Sequence, residues 1–286
     1  MRIAIGIISM GRAAVLADTL RELRTQTRSA DRVLVCSTCP ADVAGVEGAE
    51  LFEAPPSTSG QRNRLLTEAA DCDLMVFFDD DFQPEPGYLA ETERVFASDQ
   101  SVVVSTGVVL ADGAKGLGFS PDAGRDILDR VAPADPAAPV VPAFNAYGCN
   151  MAVRLSVVRD HGVLFDDRLK YYGWYEDIDF SRRAAIFGHL VRVPGARGVH
   201  LGVKAGRTSG RRFGYSQVIN PIYLWRKGSY PLHHVLYSVG RHILINAVRS
   251  VRPEAHVDRR GRLRGNLRAV GDLLRGRVEP ERVRDI

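Results

Sequence analysis

Three adjacent carboxylates, Asp79, Asp80 and Asp81, close an apolar run, Leu74-Met75-Val76-Phe77-Phe78. Like charges in contact repel, so they stay ionised together only where a divalent ion or solvent stabilises them. A buried strand that ends in such a cluster suits a hard-cation site, because ligands of open α/β sheets gather outside the carboxyl ends of the strands. The competing reading is a solvated acidic turn. Far along the chain, Tyr171-Tyr172-Gly173-Trp174-Tyr175 leads into a second acidic group, Glu176-Asp177-Ile178-Asp179. A carboxylate in partly desolvated aromatic surroundings gains basicity and can serve as a general base. Asn145–Met151 offers small residues that permit close approach to a ligand.

The elements that must position these groups are legible as alternating strand and helix patterns. Arg2–Ser9, Val33–Cys36, Glu50–Ala54, Asp73–Phe78 and Ser101–Leu110 read as strands. Between them, Ala13–Gln26, Gln61–Ala70 and Tyr88–Phe96 read as helices. That repetition predicts βαβ units and a largely parallel sheet with right-handed crossovers. Asp112–Pro142, rich in Gly, Pro and Asp, reads as a long functional loop. Ser156 is expected to cap a short helix, and Leu190–Pro194 and Arg197–Leu201 read as two short strands.

A helix over Glu176–Phe187 would turn Phe180, Ala184 and Phe187 inward. Asp177 lies three residues before Phe180 and shares that face. Asp179, four before Arg183, is expected to make a surface pair. The spacing therefore selects Asp177 as the inward acid, with Glu176 as the competing choice. Both sit where a helix dipole favours negative charge.

The chain has 286 residues, of which 45% are hydrophobic, enough for one large domain with an appendage. The boundary is expected after Gly228, giving a domain over 1–228, with halves 1–100 and 101–228, and a basic amphipathic extension over 229–286. The net charge of +4 is unevenly spread: Ser229–Ile286 holds 12 Arg against 6 acids, so the rest of the chain carries −2. Charge confined to a tail, without base-stacking aromatics among it, argues against nucleic acid as the partner. No apolar run approaches the roughly 20 residues of a membrane-spanning helix, and Ile3–Ile8 is too short for a signal peptide. The expectation is a cytoplasmic protein. Cys36 and Cys39 form a lone C-x-x-C with no second pair to complete a zinc site. Cys72 and Cys149 read as small core residues.

Taken in order, these segments resemble the family 2 glycosyltransferases, inverting enzymes of the GT-A fold that use a nucleotide-diphospho-sugar. The resemblance covers roughly residues 1–228. Ile3–Arg12, with Ser9 and Arg12, resembles the family's first strand and nucleotide loop. Gly60-Gln61-Arg62-Asn63-Arg64 resembles its segment near the base and diphosphate. Asp79-Asp80-Asp81 stands where the family carries its D-x-D motif, and Asn145–Arg154 resembles its G-x-N-M-A-x-R acceptor-side segment. Trp174-Tyr175-Glu176-Asp177 resembles the W-x-E-D base motif, and His200 matches a histidine able to ligate the metal. One departure is plain: where the family's second strand ends in an acid that pairs with uracil, this chain reads Cys36-Ser37-Thr38-Cys39.

The resemblance implies a mostly parallel, Rossmann-like GT-A sheet flanked by helices, with a C-terminal helical extension. It implies Mn²⁺ or Mg²⁺ bound by Asp81, Asp79 and His200, with Asp79 touching the ribose or a metal-bound water. The donor would contact Ser9, Arg12, Gly60, Arg62, Asn63, Asp79, Asp80 and Trp174. Asp177, or Glu176, would deprotonate a saccharide or lipid-linked saccharide acceptor. The implied activity is hexosyl transfer in bacterial exopolysaccharide, capsule or glycolipid synthesis. Two further expectations follow: Lys204–Arg212 as a lid with glycine hinges, and peripheral contact of the basic tail with the anionic inner face of the cell membrane. Three other classes compete. A sugar nucleotidyltransferase needs a richer glycine and cation loop than Ser9-Met10-Gly11-Arg12. A glycoside hydrolase needs two carboxylates but no metal cluster. A non-catalytic sugar-binding relative would be indifferent to loss of Asp177.

Overall fold

The computed structural model describes residues 1–135, 138–205 and 208–286. It divides into two compact units. The first comprises Met1–Pro56, Gly60–Leu164 and Phe180–Gly206; the second comprises Ser57–Ser59, Phe165–Asp179 and Arg207–Ile286. Among the described residues no helix is long and apolar enough to cross a membrane.

The first unit is built on a nine-stranded sheet. Its strands are β1 (Ile3–Ile8), β2 (Arg32–Ser37), β3 (Glu50–Glu53), β4 (Leu74–Asp79), β5 (Phe82–Pro84), β6 (Val102–Asp112), β7 (Val141–Pro142), β8 (Asn150–Arg154) and β9 (His189–His200). The order is β3-β2-β1-β4-β8-β6-β9-β5, with β7 on β9. The parallel part expected from the βαβ pattern is β3-β2-β1-β4. Beyond it β8 runs antiparallel to both β4 and β6, so the sheet as a whole is mixed.

Alternation along β1 and β4 buries both faces. Ile3, Ile5 and Ile7 join Leu74, Val76 and Phe78 in one core with Leu16, Leu20 and Leu23 of α1 (Ala13–Leu23) and Tyr88, Leu89, Val95 and Phe96 of α3 (Tyr88–Ser98). On the opposite face, Phe77 lies under the guanidinium of Arg62 from α2 (Thr58–Glu68). Phe78 stacks on Phe82 with centroids 5.3 Å apart and meets Tyr88 edge-on at 4.9 Å. That aromatic cluster spans the two residues between β4 and β5, Asp80 and Asp81, and so fixes where their backbone can lie.

Three local expectations change. Asp112–Pro142 is not structureless: it contains α4 (Pro121–Arg130), begun by Ser120, whose hydroxyl accepts from the Ala123 amide, with Pro121 in the first turn. Ala123, Ile127 and Leu128 turn inward beside Gly124, opposite the exposed Asp122, Asp126 and Asp129, and the approach is close: a Cβ on Gly124 would stand 2.1 Å from Gln83 Oε1. The two short strands expected after Gly188 are the two paired halves of β9, separated by a bulge around Pro194 and Gly195 where the register to β6 shifts. The short helix α5 (Leu155–His161) starts directly after Arg154, one residue before the expected cap at Ser156.

The second unit holds α7 (Gly210–Lys227), α8 (Leu232–Arg249) and α9 (Arg259–Leu273) around Tyr215, Val218, Ile219, Ala269 and Val283. Helices α7 and α9 cross through glycines: a Cβ on Gly214 would lie 2.1 Å from the Arg262 carbonyl, and one on Gly265 2.1 Å from that of Arg211. Arg211 and Arg212, expected in a lid loop, lie in the first turn of α7, which Ser209 caps. Gly206 and Arg207 of that expected lid lie outside the described residues.

Helix α6 (Glu176–Ala184) has its first turn in the second unit and the rest in the first. It is shorter than expected: Phe180 and Ala184 are buried, but Phe187 lies beyond it, half exposed, and stacks on His161.

The Phe78 cluster yields a stability expectation. Phe78→Ala should cost about 3–5 kcal/mol, read as a lower urea midpoint at unchanged slope.

Candidate metal centre

The acidic turn lies where β4, buried from Leu74 to Phe78, runs out of the sheet. Its three carboxylates take different environments. Asp79 is partly exposed; its Oδ1 accepts from Arg62 Nη2 at 3.2 Å. Arg62 is itself buried and donates to the Gly148 carbonyl at 2.9 Å.

Asp80 is fully buried and turned away from the other two. Its Oδ2 accepts from Ser9 Oγ at 2.6 Å, its Oδ1 lies 2.5 Å from Arg12, and its carbonyl accepts from Thr19 Oγ1 at 2.7 Å. Burial pushes its pKa upward, against the pull of Arg12. Asp80 therefore braces the β1–α1 loop from inside, and Ser9 and Arg12 are spent largely on it.

Asp81 is buried too, yet held below the usual carboxylate range. Burial opposes its ionisation, but His200, Arg12 and the Val203 amide, which donates to Oδ2 at 2.7 Å, outweigh that cost. His200, the last residue of β9, lies beside β5 because Phe82 and His200 are register partners. Its Nε2 is 3.4 Å from Asp81 Oδ1 and 3.8 Å from Asp79 Oδ2. One ligand atom from each of Asp79, Asp81 and His200 falls within a 4.8 Å set.

Two carboxylate oxygens and one imidazole nitrogen suit a cation of the Mn²⁺ or Mg²⁺ kind, with room on the exposed Asp79 side for further oxygen ligands. Asp79 and Asp81 both converge on the His200 ring, and their negative charge favours its protonated form. Burial disfavours charge on His200, but Asp112, Asp81 and Asp79 push its pKa up to about 10. A bound metal ion would take the place of that proton.

Asp112, at the end of β6, was not singled out by the sequence. Its Oδ1 lies 2.9 Å from His200 Nδ1 and also accepts from the Ala114 amide at 3.1 Å. This contact fixes the ring so that Nε2 faces the acids, the usual support for a ligating histidine. Burial works against the Asp112 charge, yet His200 pulls its pKa down to about 2. Its alignment with His200 arises only from the parallel pairing of β6 and β9, which the sequence does not display.

Asp42 was also missed. It follows β2 in the short turn Pro40–Val43 and accepts from the Gly11 amide at 2.7 Å and from Thr38 Oγ1 at 2.5 Å. A carboxylate therefore stands beyond Cys36–Cys39 after all, but it is buried and braces the loop at Gly11.

Gly60 and Asn63 lie on α2 with Arg62, the side chain that reaches the acidic turn. In the Asn145–Arg154 segment, Asn150 Oδ1 accepts from Thr106 Oγ1 at 3.0 Å, while Arg154 donates to the Val102 and Phe96 carbonyls at 3.0 Å and 2.8 Å and ties β8 to the start of β6 and to α3.

The structure thus gathers Ser9, Arg12, Arg62, Asp79, Asp80, Asp81 and His200 in the first unit. Trp174, Glu176 and Asp177 belong to the second. There the aromatic loop is strained: Tyr171 and Tyr175 have φ of 56° and 74°. Trp174 stacks on Tyr175 at 4.9 Å and meets Phe213 edge-on at the same distance, and its carbonyl accepts from Asn220 at 2.8 Å. The spacing selected Asp177 as the inward acid, but the more buried of the two is Glu176: Glu176 is buried and Asp177 half-buried, with Asp177 Oδ1 accepting from the Ile178 amide at 2.8 Å.

The spacing argument for Asp179 is corrected. It is fully buried, bound by Lys227 Nζ at 2.8 Å and Ser229 Oγ at 2.7 Å, so it ties α6 to the end of α7 and does not lie on the surface. Periodicity failed because the partners come from the distant α7–α8 turn.

No protein-family model matches this sequence, and no curated protein matches it. Solved structures do resemble it. It is similar to S. aureus TarS 1–349 in complex with UDP-GlcNAc, with TM-score 0.59 and 14% identity over 99% of this chain and 83% of that one. It is similar to GalNAc-T7 with UDP, GalNAc and Mn²⁺, with TM-score 0.58 and 11% identity over 97% of this chain and 59% of that one. It is also similar to the mannosyltransferase PcManGT from Pyrobaculum calidifontis in complex with GDP-Man and Mn²⁺, with TM-score 0.54 and 16% identity over 96% of this chain and 80% of that one. The architecture is that of the GT-A glycosyltransferases.

Two measurements follow. Asp112→Ala should weaken Mn²⁺ binding about 10- to 100-fold in isothermal titration calorimetry, with the fold intact by circular dichroism. His242, whose ring lies 5.8 Å from Trp174, has its pKa lowered to about 4 by burial and by Arg241, Arg262 and Arg259. The unfolded chain therefore binds this proton first as pH falls through about 6.5. Stability should be full above that pH and drop by up to about 3 kcal/mol on the way to pH 4, and His242→Gln should flatten this slope in urea titrations.

Proposed function

We propose that this chain is a metal-dependent, inverting glycosyltransferase that moves a sugar from a nucleotide-diphospho-sugar to a hydroxyl acceptor. The observation that carries the reading is the Asp79–Asp81–His200 cluster at the end of β4, within a fold of GT-A type. When bound there, a divalent ion would neutralise the diphosphate that leaves as the sugar–phosphate bond breaks. Arg62, buried and aimed at Asp79, is the cation best placed to add a bidentate phosphate contact. Arg12 supports the same side through Asp80 and Asp81.

Inversion needs a base that removes the acceptor proton while its oxygen attacks the anomeric carbon from the face opposite the leaving group. Asp177 is assigned that role, because in the first turn of α6 it is half-buried where Glu176 is buried, and so is the more open to an acceptor. Glu176 is the alternative. The strained loop that bears Trp174 and Tyr172 supplies a flat aromatic surface of the kind that stacks on a sugar ring. The acceptor is read as a saccharide or lipid-linked saccharide, in bacterial exopolysaccharide, capsule or glycolipid synthesis in the cytoplasm.

Thermal shifts with UDP, GDP and dTDP, each with Mn²⁺, Mg²⁺ or neither, test the donor side. One nucleotide should stabilise the protein only with metal, and Asp81→Asn should abolish the metal-dependent part. Stabilisation independent of metal would overturn the reading. For the base, Asp177→Asn should keep the thermal shift while turnover of the nucleotide sugar falls about 100-fold or more. Loss on Glu176→Gln instead would reassign it.

A further inference from the structure

Helix α8 is turned the wrong way round for a helix that faces water. Its inward face carries Ser238 and Asn246, both buried, beside Val235. Its outward face carries Leu236, Tyr237, Leu244 and Val248, exposed by 66%, 71%, 64% and 65%. Val251, just beyond the helix, is 77% exposed and falls on the same side.

The rotation is fixed by hydrogen bonds. Asn246 Nδ2 donates to Gln217 Oε1 at 3.0 Å and to Asn266 Oδ1 at 2.8 Å, and Asn266 in turn donates to the Gly214 carbonyl at 2.7 Å. Rolling α8 to hide its leucines would strand these buried amides at about 1–3 kcal/mol each. Leu232, Leu236, Val239, Ile243, Ala247 and Val251 recur at helical spacing, but of these only Val239 and Ile243 pack on the Tyr215 core.

The charge around this apolar face is mainly positive: the α8–α9 link carries two acids, Glu254 and Asp258, among Arg249, Arg252, Arg259 and Arg260, and Glu254 is paired with Arg249 and Arg259. Helix α8 contains no acidic residue, and the one acid of α9, Asp272, is buried. Arg241 on α8 and Arg260, Arg264 and Arg268 on α9 are exposed, next to Leu267, which is 60% exposed. An isologous contact with a second copy would set this face against itself and bring like charges together. An apolar stripe flanked by arginines matches the boundary between acyl chains and anionic headgroups.

We propose that the outward face of α8, flanked by the arginines of α8 and α9, docks on an anionic lipid bilayer. The apolar side chains enter the interface and the guanidinium groups meet lipid phosphates. This inference is independent of the transfer chemistry.

The test is co-sedimentation of the full chain with phosphatidylcholine vesicles, with and without phosphatidylglycerol, alongside light scattering of the free protein. Binding should need phosphatidylglycerol and weaken with salt. The double variant Leu236→Gln/Leu244→Gln should bind about tenfold or more weakly, and Arg241→Gln/Arg264→Gln should lose the preference for anionic lipid. Both should keep the wild-type melting temperature, since every altered side chain is exposed. Equal binding to both vesicles, or to neither, would overturn the proposal. So would a dimer that Leu236→Gln/Leu244→Gln dissociates while vesicle binding is absent.

Discussion

Electrostatic repulsion within the turn after β4 is the constraint around which the first unit is arranged. A strand with no polar side chain before its end must leave the sheet at Asp79, and the aromatic packing of Phe78 and Phe82 forces the next two acids to follow immediately. Three carboxylates cannot share that volume without compensation. Each is compensated from a different direction: Asp79 by Arg62 of α2, Asp80 by Arg12 and Ser9 at the β1–α1 junction, Asp81 by His200 of β9 and the Val203 amide. One acid is thereby folded inward as a brace, and two are left facing a histidine. The repulsion that would unsettle a simple acidic turn becomes the means of concentrating negative potential at one point.

How far this was readable from the sequence depends on the distance over which each partner acts. β1, β2 and β4 were legible because their burial is continuous and local, and the acidic turn followed from β4. His200 was reached through resemblance, since an isolated histidine says nothing of its neighbours. Asp112 and Asp42 were invisible for the same reason. Their significance lies in a parallel strand pairing and in a loop amide, both fixed only when the sheet closes. Asp179 misled because helical spacing ranks faces but does not know that Lys227 arrives from another helix. Helix α4 was hidden by its surroundings: its short stripe of Ala123, Ile127 and Leu128 lies within a stretch dominated by Gly, Pro and Asp, although Ser120 and Pro121 marked its start.

The second unit inverts the usual rule of helix orientation. Its interior is tied by amides from Gln217, Asn246 and Asn266, with a small apolar cluster at Tyr215 and Ile219. Directional bonds of this kind set a single rotation for each helix, where an all-apolar interface would tolerate several. Leucines are left on the outside as the consequence. The polar interior and the apolar exterior are one feature seen from two sides.

The α7–α9 crossing rests on the absence of side chains at Gly214 and Gly265, whose missing methyl groups would meet opposing carbonyls at 2.1 Å. Such a contact has no slack, because backbone cannot rotate out of the way as a side chain can. Evolutionary drift in this part of the chain is therefore channelled. Positions along the seam are held by geometry, whereas the outward side chains of α9 answer to the surroundings of the protein and not to the crossing.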